Sequence, residues 1–435
     1  MWHFPPSSRA IHGAPDSHRL LRGCALTLAA GIAFVASPVA AALPTLSLTE
    51  ALKIAVSRSQ QLVSQRAMVD ASREMAIPAG ELPDPKLKAG VENVPTQGDD
   101  AWSLTRDFMT MSKIGLMQEF PSAEKRRLKT QRVERDAERG TAVIEATTLA
   151  IERETATAWV NRHFAMAAEA AIAAQRSEAE LNAKTIEASY RAGKAAQSEL
   201  IAAQSMLIEI SNRATDAAAH TRRARIALAR YIGDAAQLPQ GDAPDFARLP
   251  EAARLADVDL QPELRLARVQ TSIAETESAL ARAAKKPDWS AEVAYAYRGA
   301  PYANMVSVMF TIDLPWSQGT RQDREHAARL REEDAARAML EDTQRMRVAE
   351  VQSMQTEWES ARVQAQRIET ELLPLAQQRR DAMLAAYRGG TGTLAAVLEA
   401  RRALLDAELA LIQQQQAAAK AWAWLNFVVS ASEGS

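Results

Sequence analysis

The sequence predicts a mainly α-helical protein with four short β-strands, built twice over from one unit. Three observations predict it: the chain repeats itself, its longest stretches are rich in alanine and poor in helix breakers, and four short stretches alternate apolar with polar residues.

The repeat is clearest at two turns. Tyr190-Arg-Ala-Gly193 followed by Leu200-Ile-Ala-Ala-Gln204 returns as Tyr387-Arg-Gly-Gly390 followed by Val397-Leu-Glu-Ala-Arg401, about 197 residues later. Leu62 and Arg66 pair with Leu264 and Arg268, Pro83-Asp84 with Pro287-Asp288, and Phe120-Pro121 with Leu314-Pro315. The offset drifts between roughly 194 and 204, as loops of unequal length require. Two equivalent halves follow, residues 43–250 and 251–435, after a leader at 1–42.

The leader is read from its order of parts. Arg19 and Arg22 precede an apolar stretch from Ala25 to Val35, and Ser37-Pro38 and Val39-Ala40-Ala41-Ala42 come after it, which places a cut after Ala41 or Ala42 and exports the mature chain. Cys24, the only cysteine, lies before the apolar stretch with Leu21-Arg22-Gly23 ahead of it, so the amino terminus is expected not to be lipidated. After the cut no cysteine remains, which excludes disulfides, thiolate zinc sites and cysteine catalysis. The mature portion offers no apolar run of about 18 residues, so any membrane insertion would be by strands.

Among 435 residues, 47% are hydrophobic but only 5% aromatic and the net charge is −2, a balance that favours long helices and gives no sign of a nucleic-acid partner. In the first half, Leu48 to Ile77 reads as a helix, with the start signal Thr49-Glu50 in its first turn, and is stopped by Pro78, Gly80, Pro83 and Pro85. Strands at 86–94 and 112–120 flank a loop carrying Pro95, Gln97, Gly98, Asp99 and Asp100. A helical hairpin then occupies 122–231, its first arm, Ser122 to Tyr190, roughly 100 Å long, its turn at Gly193 and its returning arm from Ser198. The second half copies this with a helix Pro262–Ala284, strands at 289–298 and 305–314, and a hairpin at 322–429 in which Pro374 is expected to kink the long arm. Leu238–Pro250 links the halves. Alanines at the helix seams permit close approach, as they would in a cytosolic coiled-coil scaffold, but the leader and the strands argue against that reading.

The strands carry the functional signal. Trp289, Ala291, Val293, Tyr295 and Tyr297 alternate with Ser290, Glu292, Ala294, Ala296 and Arg298; Val306, Val308, Phe310, Ile312 and Leu314 alternate with Met305, Ser307, Met309, Thr311 and Asp313. Leu87, Ala89 and Val91 oppose Lys86, Lys88, Gly90 and Glu92, while Ile114 and Leu116 oppose Lys113, Gly115, Met117 and Glu119, with Gln118 out of place on the apolar side. Such lengths and two-sidedness suit a transmembrane barrel with apolar side chains outward. Four strands cannot close one, because a small barrel needs about eight, so three copies pooling their strands into twelve are expected.

With these residues in place, the mature chain resembles the outer-membrane efflux channel family typified by TolC, and within it the heavy-metal branch typified by CusC and CzcC. The segments Leu82-Pro-Asp-Pro-Lys-Leu87, Val91-Glu-Asn-Val-Pro95, Thr105-Arg-Asp-Phe-Met-Thr-Met111 and Met117-Gln-Glu-Phe-Pro121 look like the first strand hairpin of that branch. The resemblance implies a homotrimer with a shared twelve-stranded barrel in outer-membrane lipid and a long periplasmic helical tube. It also implies a periplasmic adaptor and an inner-membrane RND-type pump as partners, with heavy-metal cations of the Cu/Ag or Zn/Co/Cd kind as cargo. By the same analogy the adaptor-docking tips are Tyr190, Gly193 and Lys194 in one turn and Tyr387, Gly390 and Thr391 in the other, and Glu199 is a candidate pore gate, with Ala396 at the matching place in the second half.

Alternation puts Met117, Glu119, Met305, Met309 and Asp313 toward the lumen, where thioethers could touch Cu(I) or Ag(I) or simply fill space. The remaining histidines, His163, His220 and His326, are far apart on helices, and no metal, cofactor or catalytic constellation is expected, so the chain reads as a passive duct and not an enzyme. The same fold serving drug efflux or type I protein secretion is the alternative; a periplasmic adaptor lacks support because lipoyl-like segments are missing.

Overall fold

The computed structural model describes residues 45–249 and 261–428; the leader, the boundary between the halves at 250/251 and the carboxyl end of the predicted last helix lie outside the described residues. Everything described falls in a single unit spanning Pro44–Ser435.

Ser47-Leu-Thr-Glu50 opens the first helix as a reciprocal cap: Ser47 Oγ accepts from Glu50 N–H at 3.2 Å and Glu50 Oε2 accepts from Ser47 N–H at 3.1 Å. The helix thus starts at Leu48 as expected, with Ser47 as its cap. The predicted single helix is broken at Ser59 into α1 (Leu48–Arg58) and α2 (Gln60–Gly80), because Ser59 leaves the helical region (ψ 106°) and its hydroxyl caps α2 at Leu62 N–H, 3.3 Å away. Helix α2 also runs past the expected stop at Pro78, which sits in its last turn.

Strands β1 (Lys86–Glu92) and β2 (Met111–Phe120) come next, then α3 (Ala123–Arg191), a single helix of 69 residues and hence about 100 Å. Helix α4 (Gln197–Ile232) returns along it. In the second half the order is α5 (Pro262–Ala283), β3 (Trp289–Tyr297), β4 (Met305–Ile312), α6 (Gln322–Arg367), a π turn at Ile368–Leu372, α7 (Leu373–Arg388) and α8 (Leu394–Asn426). The expected kink takes the form of that π turn. Pro374 has no N–H to give the carbonyl of Thr370, and widening the turn just before it accommodates both the missing donor and the ring.

Helix α3 is the spine, packing on α2, α4, α5 and α8, while α6 packs on α5 and α8 and α7 on α8. The seams are built from alanine: Ala142, Ala156, Ala400, Ala419 and Ala423 are fully buried, so backbones approach closely without large side chains between them. Gly140 goes further, since a Cβ there would lie 2.5 Å from Val69 Cγ2 on α2. The largest core cluster sits where both halves meet the linker, around Trp159, Leu46, Leu62, Leu228 and Trp422. Three indoles pin backbone there: Trp159 Nε1 donates to Leu46 O (3.3 Å), Trp358 Nε1 to Phe246 O (3.0 Å) and Trp422 Nε1 to Arg248 O (2.8 Å).

The strands form one antiparallel sheet in the order β1-β2-β3-β4, so the two halves join through β2 and β3. Among the described residues no helix is long and apolar enough to cross a membrane.

Candidate functional site

Register assigns each strand residue to a face. Lys86 lies opposite Met117, Met117 opposite Glu292, and Glu292 opposite Met309; the next row runs Lys88, Gly115, Ala294, Ser307, and the next Gly90, Lys113, Ala296, Met305. These rows form one polar face, on which Met117 and Met309 flank Glu292 from either side. Glu119 pairs with Ser290 in the register and its carboxylate is 2.5 Å from Lys86 Nζ. Three expected strand ends are shorter: β1 stops at Glu92, where Asn93 takes φ 57°, β3 at Tyr297 and β4 at Ile312. Asp313 is thus outside the ladder, its N–H bonded to Asp288 O at 3.0 Å.

The other face is mostly apolar and mostly exposed. Leu87, Ile114, Leu116, Val293, Tyr295, Val306, Val308, Phe310 (67%) and Ile312 all present side chains to the outside, and Leu314 and Trp316 (91%) continue the series below β4. Gln118, the one misplaced polar residue, is turned back onto the backbone, donating to Pro83 O (2.6 Å) and Glu119 O (2.9 Å). Aromatic residues collect at the two ends: Tyr295 and Tyr297 at one, and Phe120 stacked on Trp289 at 4.2 Å at the other. From Trp289 to Tyr297, at the usual rise and tilt, is about 21 Å, close to the height of a barrel's apolar band.

At the opposite end of the molecule the two hairpin turns are the same motif built twice. Gly193 (φ 69°) donates to Tyr190 O at 2.9 Å and Lys194 N–H to Ser189 O at 2.8 Å; Gly390 (φ 76°) donates to Tyr387 O at 3.1 Å and Thr391 N–H to Ala386 O at 3.0 Å. The returning helices are capped differently. Glu199 reaches back to Ala196 N–H (3.1 Å), whereas in the second half Thr393 Oγ1 accepts from Ala396 N–H (3.3 Å), so Glu199 has a local task that Ala396 does not need. The structure also brings Glu199 to Tyr387. Burial and the negative charge of the nearby Glu199 carboxylate push the Tyr387 hydroxyl up from its usual range. Tyr387 and Leu200 pack with Ile186, Ala203 and Leu394, tying the two turns together. Neither that approach of Glu199 to Tyr387 nor the place of Glu292 between Met117 and Met309 was expected from the sequence.

Among the described residues, no three His, Cys, Asp or Glu side chains are gathered to hold a metal ion.

No family model and no curated protein matches the sequence. Solved structures do. The outer membrane protein VceC from Vibrio cholerae has a TM-score of 0.72 at 17% identity, over 88% of this chain and 96% of that one. The fold is that of the TolC-type outer-membrane channels. CusC, whose structures concern transmembrane channel formation, gives a TM-score of 0.75 at 15% identity over 89% of this chain and 93% of that one. The CmeC outer membrane channel from Campylobacter jejuni gives 0.69 at 14% identity over 89% and 87%. At such identities the likeness is one of fold alone. Within this fold the sheet and the paired helix turns lie at opposite ends of α3.

Proposed function

We propose that this chain is the outer-membrane exit duct of a tripartite efflux system. It works as a homotrimer whose twelve strands close a barrel in outer-membrane lipid and whose helices extend the passage through the periplasm. The observation that carries the reading is the sheet: four strands, a largely exposed apolar face, and two unpaired edges, β1 and β4. In lipid every backbone group needs a partner, and β1 of one copy pairing with β4 of the next supplies it. The helices agree, since exposed Ile201 and Ile208 on α4 and exposed Met339 and Met346 on α6 lie at elements on the outer sides of the helical layer. A contact between unlike edges closes into a ring.

The turns at Tyr190–Lys194 and Tyr387–Thr391 dock a periplasmic adaptor fed by an RND-type inner-membrane pump, and the packing of Tyr387 beside Glu199, Leu200 and Ile186 holds the tip together. The leader directs export and is cleaved without lipidation. Heavy-metal cations are the cargo we favour, because the first strand hairpin carries the wording of that branch; CusC among the fold relatives is compatible with it. Glu199, tripled around a threefold axis, would favour cations at the tip.

Deleting the gene and growing the strain on copper, silver, zinc, cobalt and cadmium salts and on a panel of dyes and drugs tests the assignment. Loss of metal tolerance is expected. Drug hypersensitivity with unchanged metal tolerance would replace the cargo and keep the duct; a mature protein that stays monomeric in water without detergent would remove both.

A further inference from the structure

Glu292 faces the polar side of the sheet, yet only 9% of it is exposed. Two lysines cover it. Lys88 Nζ on β1 is 2.6 Å from Glu292 Oε2, and Lys113 Nζ on β2 is 3.7 Å from Glu292 Oε1 and 3.3 Å from Glu92 Oε1. Lys88 has to reach across the whole of β2 to do this, and the residue it crosses is Gly115, which stands between Lys88 and Ala294 in the register. A Cβ at Gly115 would come within 2.9 Å of Ala294 Cβ and 3.3 Å of Glu292 Oε1, so the missing side chain is what leaves room for the bridge.

The charges borne by the four strands on this face are Lys86, Lys88 and Lys113 against Glu92, Glu119 and Glu292, three minus three, which is zero. We propose that Glu292 sets the ion preference of the barrel wall. By neutralising Lys88 and Lys113 it makes a charge-balanced lining that passes cationic and anionic solutes alike, and any sorting by charge is left to the tip. This rests on the reading of the sheet as a barrel wall with its polar face inward. A wall that attracted its cargo would also retain it, whereas a balanced one lets a passive duct empty outward.

The test uses trimers of the mature protein, which carries no cysteine of its own, in phospholipid vesicles, with a reporter thiol at Ser307→Cys, opposite Ala294 on the polar face. Its reaction rates with a cationic and an anionic methanethiosulfonate are compared. The ratio is expected near one in this parent. Glu292→Gln shifts it at least about threefold toward the anionic reagent, Glu292→Asp restores it, and the Lys88→Gln/Lys113→Gln pair shifts it the other way. The double lysine variant decides the matter should Glu292→Gln not assemble. An unchanged ratio in both, or a parent already favouring the cationic reagent more than about threefold, overturns the proposal. Val308→Cys, on the apolar face, separates the two failures: if it reacts as fast as Ser307→Cys, the barrel reading itself falls.

Discussion

At Gly193 and Gly390 a Cβ would meet nothing within 4 Å, yet both hold positive φ. The demand on these residues is conformational, and valine at either costs about 1 kcal/mol or more from backbone strain alone. Asparagine tolerates the left-handed region. The Gly193→Asn/Gly390→Asn pair therefore keeps both turns and adds bulk, and the docking proposal expects it to abolish site-specific cross-linking to the adaptor in cells; full cross-linking would move docking elsewhere. A second residue-scale expectation concerns His163, stacked on Trp159 at 5.6 Å, whose burial holds its imidazole below the ordinary 6.5. Below that pH the unfolded chain binds the proton first. Stability is thus fully present above the ordinary value and falls on acidification until the depressed folded value is passed. Thermal melts of detergent-solubilised trimers across about pH 5 to 8 should show this slope, and His163→Phe should flatten it.

Among the elements, α6 and α7 differ most from the sequence expectation, one helix having become two joined by a π turn. Two causes compete there. Pro374 withholds a donor, while Leu373 and Ala376 pack against Leu404 and Ala407 of α8 and could fix the wide turn by themselves. Proline is the stronger candidate, since an interior proline costs a helix about 3 kcal/mol. Pro374→Ala should restore regular bonding, seen as slower amide exchange over 368–374. Unchanged exchange would assign the turn to packing. The break at Ser59 was legible in retrospect, for a serine three residues before an apolar position is a cap signal, but helical periodicity on both sides masked it.

For the assembled molecule, neighbouring residues on β4 should behave oppositely. Val308→Arg places a cation on the lipid side, where mid-bilayer cost is about 2–4 kcal/mol per copy, and three copies multiply it; Ser307→Arg points into water. Heat-resistant trimers in outer-membrane fractions should vanish for the first and persist for the second. If both persist, the apolar face does not meet lipid.

The sequence by itself determined the class of fold, the approximate positions of strands and long helices, and the two faces of every strand, because these follow from short-range periodicities of 3.6 and 2 residues and from breakers such as Gly193 and Gly390. It could not determine which side chains meet. That Lys88 crosses Gly115 to reach Glu292, 204 positions away, that Glu199 of one turn lies beside Tyr387 of the other, and that Trp358 and Trp422 hold linker carbonyls while Trp159 holds that of Leu46 are products of strand register and helix packing between the halves. Such contacts depend on the relative placement of whole elements, which no local pattern along the chain encodes.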